Sequence, residues 1–272
     1  MSLSPAAYTR LARLLQETAG IVLEEGKEYL VQARLGPVAN AEGCASVGEL
    51  VEGLGQLRPA TRQRLVEAML TGETQFFRDV HPFDCLRQVI LPELMEERRA
   101  ERALNLWCAA ASTGQEPYSL AMLLADHFGP TVGWDCRLLA SDFSGQALQR
   151  AEEALYNQLE VDRGLPPELL ERHFAREGAN WRLNGPVRRR VTFRTLNLLG
   201  PWPRLPPMDL VLLRNVMIYF GDETKKQILE KVRAVLRPGG FLLLGASETL
   251  AFPTAGLEQH RWGKTVYYRS VT

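Results

Sequence analysis

The residues with the clearest chemical promise lie between positions 107 and 142. Leu104-Asn105-Leu106-Trp107-Cys108 reads as a strand, and it leads into Ala109-Ala110-Ala111-Ser112-Thr113-Gly114-Gln115-Glu116, a loop of small residues that opens a helix. Small side chains and a glycine let a ligand approach the backbone where a strand meets its helix, the usual ligand crevice of an open α/β sheet. Asp142 ends the next apolar run, 28 positions after Gly114. A carboxylate there can accept both hydroxyls of a ribose or cap the helix that follows, and the two roles are compatible. Glu116 stands in the first helical turn, where an acid also complements the macrodipole. The loop is not G-x-G-x-x-G, and G-x-x-x-x-G-K-[ST] occurs nowhere. Both absences weigh against a dinucleotide oxidoreductase and a P-loop nucleotide hydrolase. His81, His127, His173 and His260 form no cluster by spacing, and no metal site is expected.

The elements that must position these residues are of two kinds. The first eighty residues read as helical. Ser4-Pro5 starts a helix whose Tyr8, Leu11, Leu14 and Leu15 recur at helical spacing up to a stop at Gly20. Ser46-Val47-Gly48-Glu49 reads as a capping box, and Arg62 to Leu70 as a further amphipathic turn pattern. From residue 104 short apolar runs alternate with helical stretches, the signature of βαβ units and a parallel sheet. Strands are expected at 104–108, 137–141, 209–213, 241–245 and 265–269, and helices up to Leu124, from Gly145 to Leu155, and from Asp222 to Leu236. Arg237-Pro238-Gly239-Gly240 reads as the break that ends the last of these helices. Residues 172–194 hold seven arginines against one acid, Glu177, and suggest a hairpin turning at Asn184-Gly185. Such a segment is either a solvated basic face or an insertion that docks an acidic partner.

Composition narrows the class. Of 272 residues, 46% are apolar and 24% charged, and Lys+Arg and Asp+Glu both number 32, so the net charge is zero. That balance argues against a protein that coats nucleic acid. Cys44, Cys85, Cys108 and Cys136 lie far apart without a C-x-x-C pair, which fits reduced thiols in a cytoplasm rather than a disulfide framework or zinc site. No apolar run approaches the ~18 residues of a membrane span. The N-terminus lacks the features of a signal peptide. A cytoplasmic protein without membrane insertion is expected, and nothing in the sequence demands more than a monomer.

Trp107-Cys108-Ala109-Ala110-Ala111-Ser112-Thr113-Gly114-Gln115-Glu116-Pro117-Tyr118-Ser119 resembles the cofactor loop of the chemotaxis receptor glutamate methyltransferases, the CheR-type enzymes. TGETQFFRD (71–79), ASDFS (140–144), RGLP (163–166), FRTLNLL (193–199), LLRNVMIYF (212–220) and LRPGGFLLLGASET (236–249) match in the same order. The resemblance spans nearly the whole chain and is weakest in the helical N-terminal part. It implies an α/β fold: a Rossmann-like methyltransferase domain dependent on S-adenosylmethionine (SAM), with a mostly parallel sheet, an antiparallel last strand and a small β-hairpin insertion. A small all-α domain precedes it. The domains expected are 1–80, helical and receptor-facing with the linker motif, and 81–272, with 172–194 as the inserted β-subdomain.

The resemblance also implies a site. Glu116 and Asp142 hold the cofactor, Asp142 at the ribose. Asn197 and Leu198 match the adenine side, Arg214 and Asn215 the segment after the fourth strand, and Thr74 and Arg78 the linker over the methionine end. Arg78 and Tyr219 match the pair facing the transferring methyl. Gly72 stands where many members carry Asn. The implied reaction carries a methyl from SAM to glutamate carboxylates of chemoreceptor cytoplasmic helices, yielding methyl esters and S-adenosylhomocysteine (SAH) for sensory adaptation. A glutamate, with reference pKa near 4.3, is already the nucleophile at neutral pH, so no general base is needed. In relatives the inserted subdomain binds a short C-terminal tether peptide of some receptors, and 172–194 occupies its place. The alternative is a SAM-binding sensing or scaffolding module without turnover.

Overall fold

The computed structural model describes residues 3–127, 133–250 and 256–271. The chain divides into two compact units, Met1–Thr71 with Tyr219–Gln227, and Gly72–Ile218 with Ile228–Thr272.

The first unit contains α1 (Pro5–Ala19), α2 (Glu28–Ala41), α3 (Val47–Glu52) and α4 (Pro59–Met69). Ser4 caps α1 by accepting from the Ala7 N–H, Pro5 occupies its first turn, and Gly20 closes it in the left-handed region at φ 70. Leu11, Leu15, Val31, Leu35, Leu65 and Val66 are buried. Only half of the expected capping box forms: Ser46 accepts from the Glu49 N–H, while the Glu49 carboxylate reaches past Ser46 to the Ala45 N–H at 2.6 Å. Residues 219–227 belong here because Ile21 bridges Phe220 and the Val22 N–H donates to the Tyr219 carbonyl.

The second unit begins with α5 (His81–Cys85) and α6 (Leu91–Glu97), joined through a π-helical turn. Then follow β1 (Ala103–Ala109), α7 (Gln115–His127), β2 (Asp135–Asp142), α8 (Gly145–Glu153), β3 (Leu155–Asn157), α9 (Gln158–Asp162) and α10 (Pro167–His173). The chain continues with β4 (Phe174–Glu177), β5 (Asn180–Leu183), α11 (Gly185–Arg188), β6 (Val191–Thr195), β7 (Met208–Leu213), α12 (Asp222–Val235), β8 (Leu236–Leu244), β9 (Leu257–Trp262) and β10 (Thr265–Ser270). Seven strands form one sheet in the order β6-β2-β1-β7-β8-β10-β9. The first five run parallel and β10 is antiparallel to both its neighbours. Every residue of β7 is buried, as continuous apolar runs in a doubly covered sheet require. The chain lays strands on one side of β1 and then crosses to the other, so the switch point lies between β1 and β7. Ligands of open α/β sheets bind outside the carboxyl ends of the strands at such a point.

Four local expectations are corrected. The helix after β2 stops at Glu153, because Ala154 turns left-handed at φ 50 and Leu155 starts β3. The helix expected to reach Leu236 stops at Val235, and Arg237-Pro238-Gly239-Gly240 is carried inside β8, whose pairing with β7 is irregular there. Gly240 permits this: a Cβ would lie 2.9 Å from the Met208 carbonyl oxygen. The hairpin turns at Gly178-Ala179, between β4 and β5, where Gly178 takes φ 62. Asn184-Gly185 instead starts α11, with Asn184 accepting from the Val187 N–H. β6, expected within the insertion, belongs to the main sheet, and β3 completes a separate three-stranded sheet, β3-β5-β4. β3 and β9 had no distinct signal in the apolar pattern.

Candidate active site

The segment before α5 is held in a tight, strained path. Phe77, Asp79 and Val80 all have positive φ, at 45, 70 and 55. Val80, with ψ −61, closes a γ-turn in which the His81 N–H donates to the Asp79 carbonyl at 2.6 Å. That conformation is rare and strained for a β-branched residue, and such strain persists only where the surroundings impose it. Three contacts impose it. The Phe77 N–H donates to Ser119 Oγ at 2.9 Å, Ser112 Oγ–H donates to the Gly72 carbonyl at 2.8 Å, and Arg214 Nη2 donates to the Arg78 carbonyl at 2.9 Å. Gly164 packs so closely that a Cβ would lie 2.1 Å from the Phe76 carbonyl oxygen, and Arg163 pairs with Glu73 at 3.0 Å. The RGLP stretch therefore clamps the linker.

The loop after β1 turns through Ala110 at φ 61, Ser112 at φ 49 and Gly114 at φ 94. Gly114 is irreplaceable on steric grounds: a Cβ would meet Ala151 Cβ at 2.9 Å and Tyr156 Oη at 3.1 Å. Tyr156, from β3 of the small sheet, donates to the Thr113 carbonyl at 2.8 Å. Asp142 receives the Ser112 N–H at 2.8 Å on one oxygen and the Ser144 N–H at 2.9 Å on the other. These bonds orient its carboxylate, and Ser144 rather than Asp142 caps α8.

Arg214, at the end of β7, has a fully buried side chain. Its Nη1 bonds Glu116 at 2.7 Å and its Nη2 bonds Asp79 at 2.9 Å, while Nε is buried without a partner. Burial lifts the Glu116 carboxyl above its ordinary range, opposed by Arg214 and, more weakly, Arg78. Arg78 is half-buried, and its guanidinium donates to the Glu73 carbonyl at 3.1 Å. Asn197 accepts from the Leu199 N–H, Leu198 is buried, and Lys231 Nζ gathers the carbonyls of Leu198, Leu199 and Gly200 at 2.8–3.2 Å. Asn215 sits left-handed at φ 57.

Glu116, Asp142, Arg214, Asn215 and the 197–198 loop are thus placed at the carboxyl ends of β1, β2, β6 and β7, and the 72–78 linker is bonded to the β1 loop and Arg214. Tyr219 ends the short helical turn Met217–Tyr219 and falls in the first unit. Ser112, Ser119, Gly164, Lys231, Asp79 and Glu248 escaped the sequence reading. Five of these, all but Lys231, lie inside glycine-containing motifs, which marked close packing but not which polar atom closes it. Phe76 is core and Phe77 packs partly buried against that core, while Trp107 is buried edge-on to a half-buried Trp202 at 5.0 Å. The histidines with described side chains are dispersed: His81 bonds Thr265, His173 bonds Asp126, and His260 stacks on Tyr267. The side chain of His127 lies outside the described residues. No helix among the described residues is long and apolar enough to cross a membrane.

The site fits a nucleoside cofactor. An oriented carboxylate suits ribose hydroxyls, the loop backbone is bare of bulk, and a Cβ at Gly72 would meet only Ser112 Oγ, at 3.4 Å. Fold and site define a doubly wound α/β domain whose loops at the switch point fit a nucleoside cofactor. Residues 72–263 match the family model described as CheR methyltransferase, SAM binding domain, and residues 6–70 match CheR methyltransferase, all-alpha domain. The chain belongs to the CheR methyltransferase family. It is 42% identical over 254 residues to chemotaxis protein methyltransferase 1 of Pseudomonas aeruginosa, covering 92% of each chain. It is 38% identical to chemotaxis protein methyltransferase Cher2 of Pseudomonas putida, again covering 92% of each. Identity to the chemotaxis protein methyltransferase of Vibrio parahaemolyticus is 35%, over 99% of this chain and 98% of that one. It is a SAM-dependent methyltransferase of the chemotaxis type.

Proposed function

We propose that this chain methylates glutamate side chains on the cytoplasmic helical bundle of chemoreceptors. The observation that carries the reading is the arrangement just described: an oriented Asp142, the Arg214–Glu116 pair and a strained linker carrying Arg78 and bonded to Arg214, at the carboxyl ends of the adjacent strands β2, β1 and β7. In this reading Asp142 binds the ribose, and Asn197 and Leu198 face the adenine. Gly72, Thr74, Glu116, Arg214 and Asn215 line the methionine end. Glu116 has one oxygen on Arg214, and the other would hold the cofactor's ammonium when it is bound. When bound, SAM supplies an electrophilic methyl on a sulfonium. Arg78 orients the incoming carboxylate by a charge-assisted bond, and Tyr219 is the second residue that the family resemblance assigns to the transferring methyl. The new O–C bond forms as the C–S bond breaks, giving a methyl ester and neutral SAH. No proton moves, so positioning and exclusion of water carry the rate. The enzyme acts as a monomer in the cytoplasm, with its first unit toward the receptor. Mass spectrometry of a chemoreceptor cytoplasmic fragment incubated with enzyme and SAM tests this. One added CH2 per modified site, mapped to glutamates, supports it; addition only at lysine or arginine would sink it.

Two further expectations follow from the same reading. Gly72 is not left-handed and has room for a side chain. Gly72→Asn should restore a hydrogen bond to the cofactor, worth about 0.5–1.5 kcal/mol, and tighten SAH binding roughly 2- to 10-fold by calorimetry. An unchanged Kd would mean that position 72 does not reach the cofactor. The small sheet is the candidate receptor tether site. β4 is one of its two edge strands, and extended peptides add to such edges. Of the seven arginines, Arg172 pairs with Asp126, Arg182 pairs with Glu177, and Arg176 stacks on Trp181, so the net field is weaker than the count suggests. A receptor C-terminal pentapeptide should give heat on titration; none at millimolar peptide removes the tether from the account.

A further inference from the structure

Glu248 lies in the turn after β8, outside every role assigned above. It is 7% exposed, and no Lys or Arg forms an ion pair with it among the described residues. Its compensation comes from backbone alone. Oε2 accepts from the Asn215 N–H at 2.6 Å and the Gly245 N–H at 2.8 Å, and Oε1 accepts from the Ile218 N–H at 3.2 Å. Its own N–H donates to the Gly245 carbonyl at 2.9 Å, which fixes the carboxylate from behind. A single side chain therefore ties together the carboxyl ends of β7 and β8, neighbouring parallel strands. Gly245 is shaped for this. A Cβ there would stand 2.6 Å from Glu248 Oε2, 2.8 Å from Asn215 Nδ2 and 2.9 Å from the Asn215 nitrogen. Asn215 is held left-handed at φ 57, a conformation that L-residues adopt at a cost and keep only under constraint.

Burying a carboxylate without a cation is expensive unless its acceptors are filled. Here two of the three bonds, from Asn215 and Ile218, fall on one short loop, 215–218, which follows Arg214 and leads into the turn Met217–Tyr219, and the third, from Gly245, anchors the carboxylate to the end of β8. We propose that Glu248 is a positioning residue for methyl transfer: it sets the backbone of 215–218, and through it the direction of Asn215 and the start of that turn. The proposal rests on the functional reading above only in treating Asn215 as a cofactor residue.

The test uses Glu248→Gln in the full chain. The amide keeps the shape but places an NH2 against one of the N–H groups that the carboxylate receives. Three quantities are read: the number of SAH-binding sites by calorimetry, kcat and KM for a chemoreceptor fragment per such site, and hydrogen exchange of peptides covering 214–218. Positioning predicts kcat per site lower by about 10- to 100-fold, the scale of small misplacements. The receptor KM should stay within about twofold by the same argument, and exchange at 214–218 should quicken. A purely structural carboxylate would lower the melting temperature and the number of sites while leaving kcat per site and the exchange pattern as in the wild type, and that result overturns the proposal. If the glutamine variant does not fold, Glu248→Asp is measured in the same way, and wild-type values for it also overturn the proposal. Failure of the wild type to esterify receptor would sink the functional reading instead; SAH binding and exchange at 214–218 would still decide the role of Glu248.

Discussion

Arg214→Met is expected to destabilise the second unit by about 3–5 kcal/mol, lowering its melting temperature by roughly 6–20 °C. The reason is electrostatic. Arg214 is the buried cation shared by Glu116 and Asp79, and it also carries the Arg78 carbonyl. Without it Glu116 remains a buried carboxylate with only the weaker charge of Arg78 to oppose it, whereas Asp79 is partly exposed and can recover water. Burial already raises the Glu116 carboxyl, and removing the guanidinium raises it further. A carboxyl whose folded pKa is raised favours folding when protonated and loses that contribution as pH rises through the folded value. The deficit of the variant against the wild type should therefore shrink as pH falls from 8 toward 5, and thermal melts across that range check it. Arg214→Lys keeps the charge but not the forked donors, and should fall between the two. A deficit independent of pH would show that Glu116 does not depend on Arg214.

Gly164→Ala is expected to cost about 2–5 kcal/mol, combining the left-handed penalty with forced displacement in a packed core. Gly164 takes φ 85, and the new methyl would lie 2.1 Å from the Phe76 carbonyl oxygen. Phe76 cannot yield easily, because its ring is buried edge-on to Tyr156 at 5.1 Å and to Phe174 at 5.7 Å. The displacement must run into the 72–78 linker, so SAH affinity should fall along with stability. Gly178→Ala is the control: Gly178 is also left-handed, at φ 62, but nothing lies within 4 Å of its added Cβ. Denaturant melts and SAH titration of both variants separate the clash from the conformational cost. Equal losses would contradict the clamp role of the RGLP stretch.

Much of this arrangement was legible in the sequence because it rests on local signals. Ser4-Pro5 and Gly20 cap α1 through the next few residues, and the apolar runs of β1 and β7 are long enough to read unaided. The hairpin position failed for a physical reason. Asn184-Gly185 is a strong turn dipeptide, but Asn184 is equally a good N-cap, and it caps α11 here. Gly178-Ala179 makes the turn with less characteristic residues. The three-residue β3 pairs 25 positions away, Leu155 with Arg182 at the start and Asn157 with Asn180 at the end bracketing that separation, and short windows do not reveal such pairing. At the site, residue types on strand ends pointed to Asp142 and Glu116, while Arg214 came from the family resemblance alone. Spacing could not show that Arg214 faces inward and divides itself between Glu116 and the 78–79 backbone turn. Nor could it show that Glu248 crosses from β8 to the loop after β7, since both side chains act through long-range bonds of individual polar atoms.

The most direct test of the central claim is transfer of tritiated methyl from SAM to chemoreceptor-containing membranes, followed by mild base. Carboxyl methylation predicts label on receptor-sized bands that base releases as volatile methanol, and its loss in Arg78→Ala. Label that survives base, or none on any receptor despite SAH binding, would contradict the account.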